Sequence, residues 1–208
     1  MGNLNVKLVQ NQQEEQQFVR YILRDLQALE RMIREGWFET EPIRIGAEQE
    51  MCLVDRSLKP YNINLKALEM INNPAFTTEL ASFNLETNAD PLPFTGSSIS
   101  EMHMSLKKAL EDAQEKLNDV GAIILLAGIL PTIRKADVEI GNITPIPRYL
   151  ALMNGLRELR GEAFELRLTG VDELNMKQDS AMLEACNTSF QVHLQVAPDD
   201  FVRKYNYA

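Results

Sequence analysis

Between Ile43 and Leu53 the chain alternates strictly enough to fix its local geometry. Ile43, Ile45, Ala47, Met51 and Leu53 fall on one side of an extended strand, with Gln49 as the polar exception, while Arg44, Gly46, Glu48, Glu50 and Cys52 fall on the other. Successive side chains of a strand point to opposite faces, so this segment buries one face in a core and turns Glu48 and Glu50 to the other. The two carboxylates then project side by side, roughly 6 to 7 Å apart along the strand. Two later segments carry the same kind of face. In one, Ala81, Phe83 and Leu85 alternate with Ser82, Asn84 and Glu86; in the other, Phe190, Val192, Leu194 and Val196 alternate with Ser189, Gln191, His193 and Gln195. Carboxylates set among apolar strand residues are costly unless they are paired or bind a cation. Glu48, Glu50, Glu79 and Glu86, with His193 on a third strand, therefore point to a hard-cation site built on a sheet. Glu79 has the wrong parity to share a regular strand face with Glu86, which predicts a loop or bulge between them.

Around these strands the pattern alternates with helices, the signature of a mixed fold with an antiparallel sheet and helices packed outside it (α+β). From Glu14 to Trp37, Phe18, Ile22, Leu26, Leu29 and Ile33 recur at helical spacing without an internal Pro or Gly. Residues 64–72 form a short helix ahead of the breaker Asn72-Asn73-Pro74. Pro91 through Ser98 reads as a linker. Ser98-x-x-Glu101 has capping-box spacing and opens a helix to Asn118, with Met102, Leu106, Leu110, Ala113 and Leu117 inward. Ala122–Ala127 is an apolar run of buried-strand length. Residues 128–147, punctuated by Gly128, Pro131, Gly141, Pro145 and Pro147, make a long irregular loop of the kind that often serves function. A helix over about 148–164, a helical piece near 178–186 and a strand over 188–196 complete the expectation.

Composition narrows the function classes. The 208 residues suffice for one domain with a sizeable core, and 45% hydrophobic with 25% charged residues is ordinary for a globular chain. A net charge of −9 without a basic stripe argues against nucleic acid or an anionic membrane as partner. Cys52 and Cys186 lie far apart with no CxxC, as expected of buried reduced thiols. No leader-like segment opens the chain and no apolar run approaches membrane length, so the expected location is cytoplasmic.

Carboxylate oxygens with one imidazole on rigid strands suit Mg²⁺ or Mn²⁺ bridging nucleotide phosphates. Zinc fits poorly, because only two histidines exist and His103 sits in Met102-His103-Met104 on a helix. GxxxxGK[ST], GxGxxG and GxSxG are all missing, which removes the P-loop, the Rossmann cradle and the nucleophile elbow. Each element also has a plain structural explanation. Glu-x-Glu on a strand is commonly the wet face of an antiparallel sheet, Glu86 alone is an ordinary surface or ion-paired acid, and His193 alone is a hydrogen-bonded sheet histidine. The conjunction of three matching polar faces favours the cation site.

These residues resemble a known family. Gly46-Ala-Glu48-Gln-Glu50-Met-Cys-Leu-Val-Asp55 is similar to the Gly-x-Glu-x-Glu strand of the second glutamate–cysteine ligase group of carboxylate–amine ligases. Glu79 and Glu86 match its second acidic pair, Gly128-Ile-Leu-Pro131 with Arg148-Tyr149 its Gly-x-x-Pro and Arg-Tyr elements, and Gln191-Val-His193 its Gln-x-His strand. The similarity runs over about residues 40–200 in the family's order.

The resemblance implies a glutamine-synthetase-like catalytic funnel of antiparallel strands. There ATP would phosphorylate a substrate carboxylate, typically the γ-carboxylate of glutamate, and an amine, typically that of cysteine, would displace phosphate to leave an amide. On that basis Glu48, Glu50, Glu79, Glu86 and His193 would hold the divalent ions. Arg148 and Tyr149 would contact substrate or phosphate, and Gln191 would line the funnel. Arg148 is equally well explained as a surface residue at a helix start. Family members run to about twice this length, so residues 1–208 are expected to be the N-terminal half of a longer catalytic domain, with little turnover alone. The partners expected are amino acids and ATP, with a homo-oligomer open. Two alternatives remain, a non-catalytic metal- or amino-acid-binding module and an interaction protein whose acids are only solvated.

Overall fold

The computed structural model describes residues 11–161, 163–178 and 180–208. The strand expected around Glu48 and Glu50 is β1, Arg44–Val54, and it is the centre of the fold. One edge of β1 pairs antiparallel with β3, Asn84–Pro93, which pairs in turn with the short β2, Phe76–Thr78. The other edge is shared end to end. β7, Phe190–Leu194, pairs with residues 45–49, and β4, Ile123–Leu125, pairs with residues 52–54. A separate hairpin joins β5, Phe164–Thr169, to β6, Glu173–Gln178. All these pairings are antiparallel, and helices alternate with the strands in an α+β arrangement.

The odd-numbered face of β1 is covered by α2, Asn64–Ile71, and α3, Ser98–Leu117. Met51, Leu53 and Leu85 from the sheet pack there against Ala67, Ile71, Ala113 and Leu117. The stripe expected on α3 is inward, with Leu110 only partly covered. At the other face Cys52 and Val54 join Phe83, Tyr149, Met153, Met176, Met182 and Cys186 in a second apolar cluster. This cluster is supplied by α4, Pro147–Arg160, by α5, Met182–Ala185, and by the irregular connection before α4. It covers only the Cys52–Val54 end of β1. Beyond it the even-numbered face is left for Glu50 and Glu48.

Several local expectations are corrected. The proposed linker from Pro91 is still strand: β3 runs to Pro93, which lies opposite Arg44. Proline is tolerated because β2 reaches only Thr87, so this end of β3 is a sheet edge, and because the register slips between Ile45 and Ala47. The same strand starts at Asn84 rather than Ala81, whose one bridge is to Ile143. The Ser98–Glu101 capping box does not form. Ser97 takes the cap position, and its hydroxyl donates to the Glu101 carboxylate at 2.5 Å instead of accepting a backbone N–H. The helix expected over 148–164 ends at Arg160 with Gly161 in the left-handed region, a C-cap that favours glycine. Glu162, inside that expected span, and Asp179, inside the stretch expected near 178–186, lie outside the described residues.

The long helix expected near the N-terminus is α1, Gln12–Arg34, capped by Asn11, whose side chain accepts from Glu14 N at 3.0 Å. None of its residues is buried. α6, Pro198–Tyr205, is likewise uncovered. Among the described residues no helix is long and apolar enough to cross a membrane.

Candidate metal centre

The sheet register makes the site. Glu50 on β1 lies directly across from Glu86 on β3, so both carboxylates rise from the same face of neighbouring strands. Glu79 enters from the connection between β2 and β3, as its parity required. One oxygen from each of Glu50, Glu79 and Glu86 lies within 4.8 Å of the others. Glu86 is only 9% exposed, and Glu50 and Glu79 are half-buried.

Neutral N–H groups hold these acids in place. The backbone N–H of Ser189 donates to Glu50 Oε2 at 2.6 Å, the Asn88 amide donates to Glu86 Oε1 at 2.6 Å, and the Leu80 N–H donates to Glu79 Oε2 at 3.2 Å. Gln191 Nε2 stands 3.4 Å from Glu50 Oε1, a weak contact. Among the described residues, no lysine or arginine forms an ion pair with any of the three. Burial first, then the neighbouring Glu86 and Glu50, push the Glu79 carboxyl up to about 8. Three converging carboxylates with amide donors, none ion-paired to a lysine or arginine among the described residues, match the donor chemistry of a hard divalent ion, which takes oxygen ligands.

The other expected ligands form a neighbouring pair. Glu48 is opposite Gln191, and His193 is opposite Gly46, so Glu48 and His193 meet diagonally across β1 and β7. His193 Nε2 is 3.6 Å from Glu48 Oε2, too long for a hydrogen bond. This pair sits two residues along the same face from the trio and is not part of it. Of the five expected metal ligands, three are thus brought together and two stand beside them.

Tyr149 is buried, and its hydroxyl donates to the backbone oxygen of Thr78 at 2.9 Å, next to Glu79. Arg148 is half-buried and makes no hydrogen bond or ion pair among the described residues. Its charge is felt at Tyr149, as are those of Glu79 and Glu86, which sets all four groups in one neighbourhood.

The irregular loop over 128–147 has a definite task here. The fully buried Thr144 donates its hydroxyl to Glu79 O at 2.6 Å and its N–H to Leu80 O at 2.8 Å. Asn64, also buried, donates to Thr144 Oγ1 at 2.6 Å, and Ser82 N donates to Asn142 O at 2.8 Å. The loop therefore clamps the turn that presents Glu79. Asn88 and Thr144 were not singled out from sequence. Asn88 shares parity with Glu86 on β3 and was legible in principle, whereas Thr144 sits in irregular chain with no period to betray it.

The model of glutamate-cysteine ligase family 2 matches residues 44–208, most of the chain. The chain belongs to that family. The matched span begins at the first residue of β1 and includes Glu48, Glu50, Glu79, Glu86, Arg148, Tyr149, Gln191 and His193, while α1 precedes it. No curated protein and no solved structure matches the chain. Membership in glutamate-cysteine ligase family 2 supports a ligase-type activity on small-molecule substrates.

Proposed function

We propose that the chain contributes the metal-binding part of the site of an ATP-dependent carboxylate–amine ligase. The observation that carries the proposal is the convergence of Glu50, Glu79 and Glu86, with no lysine or arginine ion-paired to them among the described residues. These three would hold Mg²⁺ or Mn²⁺, and Glu48 with His193 would hold a second ion beside it, directly or through water. When bound, ATP supplies the phosphoryl group that activates the substrate carboxylate, and the divalent ions screen phosphate charge. The chain's own residues do the positioning. Asn88, Ser189 and Leu80 aim the carboxylates, the Thr144 clamp fixes Glu79, and the guanidinium of Arg148, without an ion pair among the described residues, is suited to a substrate carboxylate or phosphate. Tyr149, committed to Thr78, acts on this proposal by holding the Glu79 turn rather than through a free hydroxyl. Gln191, beside Glu50, lines the polar face.

Residues 1–208 hold part of a ligase site on this proposal, so the test reads binding. Isothermal titration with Mn²⁺, then with ATP in its presence, is expected to show metal-dependent nucleotide binding. Glu50→Gln is expected to abolish it and His193→Ala to weaken it at least tenfold. Wild-type binding in both variants would refute the assignment. The same acid cluster also suits a metal- or amino-acid-binding module without catalysis. Amino-acid-dependent ADP release from the longest natural form of the chain separates the two.

A further inference from the structure

Glu79 and Glu86 reach the same point from the two ends of a stretch that is not regular strand. β2 ends at Thr78 and β3 begins at Asn84, so no ladder of strand hydrogen bonds fixes the spacing between the two carboxylates. Every carbonyl from Glu79 to Asn84 nevertheless has a donor. Thr144 supplies Glu79 O through its hydroxyl at 2.6 Å and Leu80 O through its N–H at 2.8 Å. Leu53 N supplies Phe83 O at 2.6 Å. The remaining carbonyls share one residue. Asn64 N donates to Ser82 O at 3.0 Å, and the Asn64 side-chain amide donates to Ala81 O and Asn84 O, both at 3.3 Å.

Asn64 is buried and opens α2, where an asparagine ordinarily caps the helix. Ile63 holds the cap position instead, and the Asn64 amide turns to the connection between β2 and β3. Its orientation is set by chemistry. Ala81 O and Asn84 O can only accept, so the nitrogen must face them. The same nitrogen lies 2.6 Å from Thr144 Oγ1, which therefore accepts from Asn64 and keeps its own proton for Glu79 O. Asn64 thus acts on the ligand-bearing turn twice. It holds the carbonyls of Ala81, Ser82 and Asn84, and it directs the Thr144 hydroxyl to Glu79.

We propose that Asn64 is a positioning residue for the acid trio, setting the distance between the Glu79 and Glu86 carboxylates without touching an ion. The inference rests on the metal-site reading above. A small divalent ion tolerates little error in the placement of its oxygens, so a support of this kind governs how well the site binds. Removing such supports lowers metal affinity by about 10- to 100-fold. A side chain that only stabilised the fold would leave the affinity of the folded protein unchanged.

Titration of the 208-residue protein with Mn²⁺ well below its melting temperature, with free ion read by electron paramagnetic resonance, tests this. Asn64→Ala removes the side-chain donors and is expected to weaken Mn²⁺ binding about tenfold with circular dichroism unchanged. Asn64→Asp keeps the shape but offers an acceptor, which draws the Thr144 proton away from Glu79 O, and is expected to bind at least as weakly. Either variant alone is decisive if the other does not fold. Asn62→Ala is the control. Asn62 donates to Asn142 Oδ1 at 2.7 Å and accepts from Ser82 Oγ at 2.9 Å, but it bonds none of those carbonyls. Its variant is expected to stay within about twofold of wild type. Wild-type affinity in a folded Asn64 variant, or an equal loss in Asn62→Ala, would overturn the positioning role and leave the metal site standing. A wild type that binds no Mn²⁺ would overturn both.

Discussion

Replacing Glu79 with glutamine should change the pH dependence of stability in the direction that a buried, crowded carboxylate produces. In the folded protein Glu79 titrates near 8 instead of 4.5, because burial and the adjacent Glu86 and Glu50 disfavour its charge. The folded state thus holds a proton that the unfolded chain has released between those two values. Stability must then fall as pH rises from about 4.5 to about 8 and level off above, at up to about 1.4 kcal/mol per pH unit. Between pH 5 and 7 the full effect is roughly 2.7 kcal/mol; water around the half-buried group screens part of it, leaving ~1–2 kcal/mol. The glutamine amide of the variant does not titrate and carries no such proton. Glu79→Gln should match wild type near pH 5 and become progressively more stable towards pH 8, by roughly 3 to 10 °C in melting temperature for a chain of this size. Thermal melts in EDTA across pH 5–8 measure it. Saturating Mn²⁺ should reverse the order at pH 8, since metal binding replaces the proton in wild type and the variant has lost a ligand. Parallel stability curves for the two proteins would refute the argument, because they would mean that neither burial nor the adjacent Glu86 and Glu50 disfavours the Glu79 charge.

Three other perturbations probe the supports of the site. Thr144→Val leaves Glu79 O without its donor and takes the shortest of three acceptors from the Asn64 amide, which keeps Ala81 O and Asn84 O; this should cost about 1–3 kcal/mol in denaturant unfolding and weaken Mn²⁺ binding together. Asn88→Leu removes the donor on Glu86 and should lower Mn²⁺ affinity several-fold with less than about 1.5 kcal/mol lost in stability, because Asn88 is partly solvated; unchanged affinity would count against it as a positioning residue. Cys52 and Cys186 are both buried, and burial pushes each thiol up to about 11, so neither should react with a thiol reagent at pH 8 until the protein unfolds. Rapid labelling of the native protein would contradict that packing.

Much of the sheet was legible because period-two alternation is a local property. Glu48 and Glu50 share a face of β1 by sequence alone, and so do Gln191 and His193 on β7. The parity argument that pushed Glu79 off the strand was correct for the same reason. Prolines misled the assignment at Pro91 and Pro93. Their cost depends on whether a partner strand needs their N–H, and that is decided by how far β2 reaches along β3. Ser98 and Glu101 have capping-box spacing, but Ser97 takes the cap position and donates its hydroxyl to the Glu101 side chain.

The sequence by itself determined which residues stand on which face of each strand, that α1 has one apolar side, and that acids had been planted where a sheet would have to accommodate them. Tertiary structure decided their grouping. Strand register set Glu50 against Glu86, the loop around Thr144 carried Glu79 to them, and Glu48 was left to His193. It also decided that the stripe of α1 and the inner face of β7 remain uncovered. Alternation and helical period need only neighbouring residues, whereas register, loop docking and burial depend on contacts between segments far apart in the chain, which no local pattern encodes.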